Sequence, residues 1–156
     1  MYARFYEQRP AMEEELESED PGMRALAKYF IRKKEHRELQ RSAVPSTADH
    51  EYWTTWWDAH KQAGKDVFEL WKKAYDILDG LDDWIYAVEN NIIGTFYVRT
   101  VQEAVDGLAR FAQTPKGRLV TSEKVRKKWK LKHYSPIRAM CVPIKLGSKG
   151  FIIHMG

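Results

Sequence analysis

The most regular apolar spacing in the chain falls between residues 48 and 79. Trp53, Trp57, His60, Gly64, Val67, Trp71, Ala74 and Leu78 follow one another at steps of four and three. Trp56, Ala63, Leu70 and Ile77 form a flanking row at steps of seven. Such steps return to the same side of an α-helix, so the pattern predicts a helix over 48–79 with Gly80 as its C-cap. At a rise of 1.5 Å per residue it would be nearly 50 Å long, long for a domain of this size. Gly64 inside the stripe costs about 1 kcal/mol in helix propensity, so it marks either a close approach or a break. A single helix is the expectation. The stripe reads as a buried core face rather than a coiled-coil seam, because Trp is bulky for a tight two-stranded coil. His60 on that face reads as a hydrogen-bonded core histidine.

A second helix is predicted over 21–41. Asp20 precedes Pro21, an N-cap followed by the residue best suited to the first helical position. Met23, Leu26, Ala27, Phe30 and Ile31 give its first half an apolar stripe, whereas residues 32–41 are polar on nearly every face. That half must project into water or lie against something charged. Residues 42–47 connect the two helices. Beyond Gly80, residues 82–88 read as a short helix started by Asp82 and Asp83, and the β-branched and aromatic stretch 92–98 as a strand. Thr100 with Glu103 is a capping box for a helix whose apolar face is Val101, Ala104, Val105, Leu108, Ala109 and Ala112. Residues 114–117 read as a turn, 118–120 as a short strand, and Ser122 as the cap of a basic helix to about Leu131. From about Arg138 the chain alternates towards Leu146, turns over 147–150 and resumes at Phe151–Met155. This predicts a C-terminal β-hairpin, with Pro143 on an edge or bulged strand.

The expected fold is therefore mainly α with a small β component. The long helix 48–79 packs on helix 21–41, and a β-hairpin closes the chain. One domain over 1–156 is expected, with an acidic arm (1–20), a helical core (21–113) and a basic C-terminal segment (114–156).

Composition changes this picture in three places. The 156 residues include six Trp, eight Tyr and six Phe, and a surplus of aromatics beyond the needs of one core implies a partner. The single cysteine, Cys141, cannot form an internal disulfide, so a reducing intracellular compartment is expected, cytoplasm and mitochondrial matrix side being equally compatible. Its apolar neighbours suggest a buried, inert thiol. Finally, the net charge of +4 conceals opposed blocks: residues 46–90 hold four basic and ten acidic side chains, while 114–156 hold eleven basic and one acidic. The excess in the last third is larger than the middle can cancel, which leaves an anionic partner to be found. No apolar run is long enough to span a membrane, and the N-terminus has no apolar signal core. Peripheral contact with anionic lipid stays open.

No catalytic or metal motif stands out. The five histidines are scattered, and there is no glycine-rich phosphate loop or nucleophile elbow. Neither a cofactor nor an enzymatic activity is expected. The segment with most chemical character is 124–134, where Lys124, Arg126, Lys127, Lys128, Lys130 and Lys132 surround Trp129. Lysines and arginines there can meet phosphates or an acidic surface, while Val125 and Trp129, four apart, would anchor the helix. Helices over 101–113 and 122–131 followed by a hairpin over 138–155 resemble a winged-helix arrangement. That likeness implies a nucleic-acid-binding module reading RNA or DNA with the basic helix 122–134 and the hairpin. The reading preferred on residue chemistry is different: a non-catalytic accessory subunit that binds other protein subunits through aromatic and basic surfaces. It is similar in type to the small aromatic, mildly basic subunits of organellar respiratory complexes and ribosomes.

Overall fold

A computed structural model describes residues 12–42, 44–131 and 135–147. Its elements are α1 (Met12–Glu15), α2 (Pro21–Arg41), α3 (His50–Asp79), β1 (Trp84–Asn90), β2 (Gly94–Val98), α4 (Val101–Gln113), α5 (Pro115–Val120), α6 (Glu123–Trp129), α7 (Ser135–Met140) and β3 (Cys141–Lys145). The chain is mainly α with a small antiparallel sheet, and its contacts divide it into two compact units. One spans Pro10–Ile77 and the other is built from Leu78 onward.

The first unit is a helical hairpin. The Asp20 carboxylate accepts hydrogen bonds from the N–H groups of Gly22 (2.9 Å) and Met23 (3.4 Å), which fixes the start of α2 where the cap signal placed it. The first half of α2 buries Met23, Leu26, Ala27, Tyr29 and Phe30. Its polar second half lies against α3. Arg32 donates from Nε and Nη2 to Asp66 at 3.2 and 2.9 Å. Further along, the His36 and His60 rings sit 4.8 Å apart, and Trp56 Nε1 donates to the Ser42 hydroxyl at 3.2 Å. As one partner number rises the other falls, so α2 and α3 run antiparallel. α3 continues unbroken through Gly64, where an added Cβ would come within 3.5 Å of the His36 ring. That is ordinary van der Waals distance, so the imidazole packs directly over this position.

The second unit sets a three-stranded sheet, order β2-β1-β3 and antiparallel throughout, against helices. Trp84, Tyr86 and Val88 alternate onto one face, beside Cys141 and Pro143 of β3 and opposite Phe96 and Val98 of β2. That face meets α4, whose Gly107 lies under the Phe96 ring. Val101, Ala104, Val105 and Leu108 are the buried side of α4, as the capping-box pattern indicates. Thr100 Oγ1 accepts from Glu103 N–H at 3.2 Å, while the Glu103 carboxylate reaches back to Arg99 N–H at 2.8 Å.

Three expectations are corrected here. Residues 84–90 form a strand, not a helix. Asp82 and Asp83 do not cap a helix: the first accepts from Arg99 through its carbonyl and carboxylate (2.8 and 3.2 Å), and the second binds Lys145 Nζ. The pair therefore ties the ends of β2 and β3 to the start of β1. Residues 118–120 are helical, because Thr114 caps α5 by accepting Gly117 N–H (3.0 Å) with Pro115 at the first position. Residues 138–140 belong to α7, so alternation begins at Cys141. The strand carrying Pro143 is an edge strand of the described sheet and pairs with β1. The other arm of the expected hairpin, 151–155, lies outside the described residues.

Candidate interaction surfaces

The basic segment occupies α6 and the residues directly after it. Ser122 caps the helix, accepting Val125 N–H at 3.3 Å. Trp129 is 4% exposed, with its ring 6.4 Å from that of Phe111, so it roots the helix on α4 as its spacing from Val125 suggested. A buried indole cannot stack on a base. Arg126 is also committed: Nη1 donates to the carbonyls of Thr121 and Arg118, holding the end of α5. Lys127 lies 3.5 Å from Glu123 in an exposed i,i+4 pair, a weak contact at such exposure. Lys124, Lys128 and Lys130 face solvent. Of the residues singled out in sequence, this leaves four outward lysines around a structural Trp and a structural Arg, and Lys132 lies outside the described residues. A shallow cleft of about 340 Å³ runs beside them, lined by Ala112, Gln113, Arg118, Glu123, Arg126, Lys127 and Lys130. Leu119 on α5 stands 86% exposed.

The second surface lies on α3 and overturns the expectation that its Trp stripe is wholly core. Trp53 and Trp57 are 47% and 44% exposed, and Phe68 is 46% exposed. The flanking row turns towards α2, together with His60, Gly64 and Ala74 of the main row. Leu70, Ala74 and Ile77 line a cleft of about 280 Å³ with Pro21, Arg24, Ala25 and Lys28 of α2, and Trp56 meets Ser42. At about 100° per residue, Trp53, Trp57, Phe68 and Trp71 lie roughly a third of a turn further round. The complete stripe thus covers about half the helix circumference, wider than the roughly 100° face that one packing neighbour covers. α2 fills one side of it. On the other side Tyr75 is buried, whereas Phe68, Trp57 and Trp53 are exposed.

On that open side the rings form two stacked groups, one around Trp53 to His60 and one around Phe68 and Trp71. Trp53 stacks near Trp56 (centroids 5.6 Å) and Trp57 (6.5 Å), and Trp57 lies nearly parallel to His60 at 5.7 Å. Phe68 stacks on Trp71 at 5.9 Å. Lys61 lies 6.0 Å from the Trp57 ring and Lys72 4.7 Å from that of Phe68, placing cations along the edge away from α2. Between the helices, burial, the neighbouring His60 and Arg32 hold the His36 pKa below the ordinary histidine value. Neutral imidazole is thereby favoured in the aromatic seam.

Cys141 is buried, and burial together with the nearby Asp79 carboxylate pushes its thiol up to about 12. It is protonated and unreactive at neutral pH. Among the described residues no group of three His, Cys, Asp or Glu side chains is placed to hold a metal ion, and no helix is long and apolar enough to cross a membrane. In comparisons with known proteins, no family model, no curated protein and no solved structure matches the chain.

Proposed function

We propose that this chain is a non-catalytic accessory subunit of a larger intracellular assembly, joined to a protein partner through the open aromatic face of α3. The observation that carries the reading is the exposure of Trp53, Trp57 and Phe68 on a continuous helix. Each such ring leaves on the order of 100 Å² in water, so the three together approach the largest apolar patch of a typical monomer. Trp is also the residue most enriched at the energetic centres of interfaces. Sedimentation of the native protein from cell extract tests this. Wild-type chain is expected in a particle much heavier than its 18.4 kDa, and Trp53→Ala with Trp57→Ala should return it to the free fraction. Wild-type protein sedimenting as a free chain would overturn the reading.

A second reading keeps α6 as a phosphate-binding element, supported by the outward Lys124, Lys127, Lys128 and Lys130. With Trp129 buried, its contribution would be electrostatic rather than stacking. Binding to a nucleic acid should then weaken with salt at a log–log slope of about −0.9 per duplex phosphate neutralised, roughly −3 to −4 if all four lysines engage. A slope near zero, or no binding at low salt, would dismiss this reading.

A further inference from the structure

We infer that the occupant of the open α3 face is an amphipathic helix of a partner protein, about four turns long and acidic along one edge. The inference rests on the accessory-subunit reading and specifies its partner. Shape supports a helix: the open face is a straight strip on α3, and Trp53 to Phe68 spans about 22 Å at helical rise. A strip of knobs spaced at three and four residues is complemented by a second helix, as α2 already does on the adjacent side. Charge selects the partner's edge. Lys61 and Lys65 lie on the margin of the strip away from α2, the first close to the exposed Trp57 ring, whereas Lys72 beside Phe68 is already paired with Glu69 at 3.1 Å. Carboxylates facing that margin would be attracted, and lysines repelled.

The same features disfavour other occupants. In an antiparallel pairing of two copies of α3 over this strip, the two-fold axis would fall near residue 61, midway between Trp53 and Phe68. Lys61 would then oppose its own counterpart. A single-stranded nucleic acid needs open ring faces, yet Trp53, Trp56, Trp57 and His60 already lie against one another.

The test places a photo-crosslinking phenylalanine analogue at Trp57 or at Phe68 of the full chain, made in its own cells, and sequences the crosslinked peptides. Both positions should capture one partner segment, with apolar residues at helical spacing and Asp or Glu along one edge. The two attachment points should lie about 11 residues apart on that segment, matching their separation on α3. Lys61→Glu with Lys65→Glu should lower the yield about fivefold, the effect of losing two weak ion pairs. Circular dichroism of this double variant should match wild type, since both positions are exposed. Capture of a second copy, of nucleotides, of lipid, or of a protein segment without that spacing and acidity would overturn the inference. Capture of such other protein segments would still leave the accessory-subunit reading standing. The absence of any adduct at both positions, in a protein that sediments as a free chain, would overturn both.

Discussion

The tryptophans of α3 and α6 sit on helices of similar apparent promise and have opposite fates. Trp129 lies in the most basic stretch of the chain, where an aromatic among lysines suggests a contact with a ligand, yet it is buried against Phe111 and holds its helix in place. Trp53 and Trp57 lie in the most regular apolar stripe, where burial is the natural expectation, yet both stand open. The difference comes from how many neighbours each face requires. α6 has a narrow apolar face of Val125 and Trp129, which a single neighbour, α4, is enough to anchor. The α3 stripe spans about half the helix circumference, too wide for α2 alone to cover.

The contrast breaks first at Trp129. Trp129→Ala should lower the stability of the second unit by about 3–5 kcal/mol in a urea titration, the usual loss for a buried indole. A loss under about 1 kcal/mol would mean that the ring is not an anchor. Next comes Gly117, which lets α5 fold tightly against α4: a Cβ there would fall 1.9 Å from the Phe111 carbonyl oxygen, an atom of the rigid backbone. Gly117→Ala should cost about 1–3 kcal/mol through the forced shift, measured in the same way. On the other side, Trp57→Ala should change stability by less than about 1 kcal/mol while abolishing assembly, since an exposed ring contributes little to folding. A large stability loss without loss of assembly would make Trp57 a core residue after all.

The smallest expected effect is a pH dependence in the helical hairpin. His36 has a folded-state pKa below its ordinary 6.5, owing to burial, His60 and Arg32. As pH falls through that ordinary value the unfolded chain takes up the proton first. Stability is therefore full above about 6.5 and declines between there and the lower folded value. Urea midpoints followed by the helical signal should fall from about pH 7.5 to about 5.5, a range that brackets the ordinary histidine value, and His36→Gln should flatten the decline. An unchanged slope in the variant would remove His36 from the seam.

Much of the local structure was legible beforehand because it depends on neighbours in sequence. Asp20-Pro21, Thr100 with Glu103, and Ser122 each start a helix where their side chains meet nearby N–H groups. The Thr114-Pro115 cap of α5 carried the same signal and was masked by Gly117 close behind it. Residues 84–90 were illegible for another reason. Trp-Ile-Tyr-Ala-Val suits a helix or a strand, and only pairing with β2 on one side and β3 on the other decides between them. The Asp82 and Asp83 roles come from the same pairing, since Arg99 and Lys145 reach them only once the sheet exists. At α6 the outward lysines and the Trp129 anchor were visible, but the commitment of Arg126 to the carbonyls of Arg118 and Thr121 required the fold of α5.

By itself, then, the sequence determined where α2, α4 and α6 begin, and that α3 is long and carries an apolar stripe along its whole length. Those properties arise from caps and periodicity within a few turns of backbone. Only the tertiary structure decided which part of the stripe α2 covers. That choice depends on matching Arg32 to Asp66, His36 to His60 and Ser42 to Trp56 across the antiparallel hairpin. Residues far apart in the chain make those contacts, and the side of α3 they leave open is the surface on which a partner can act.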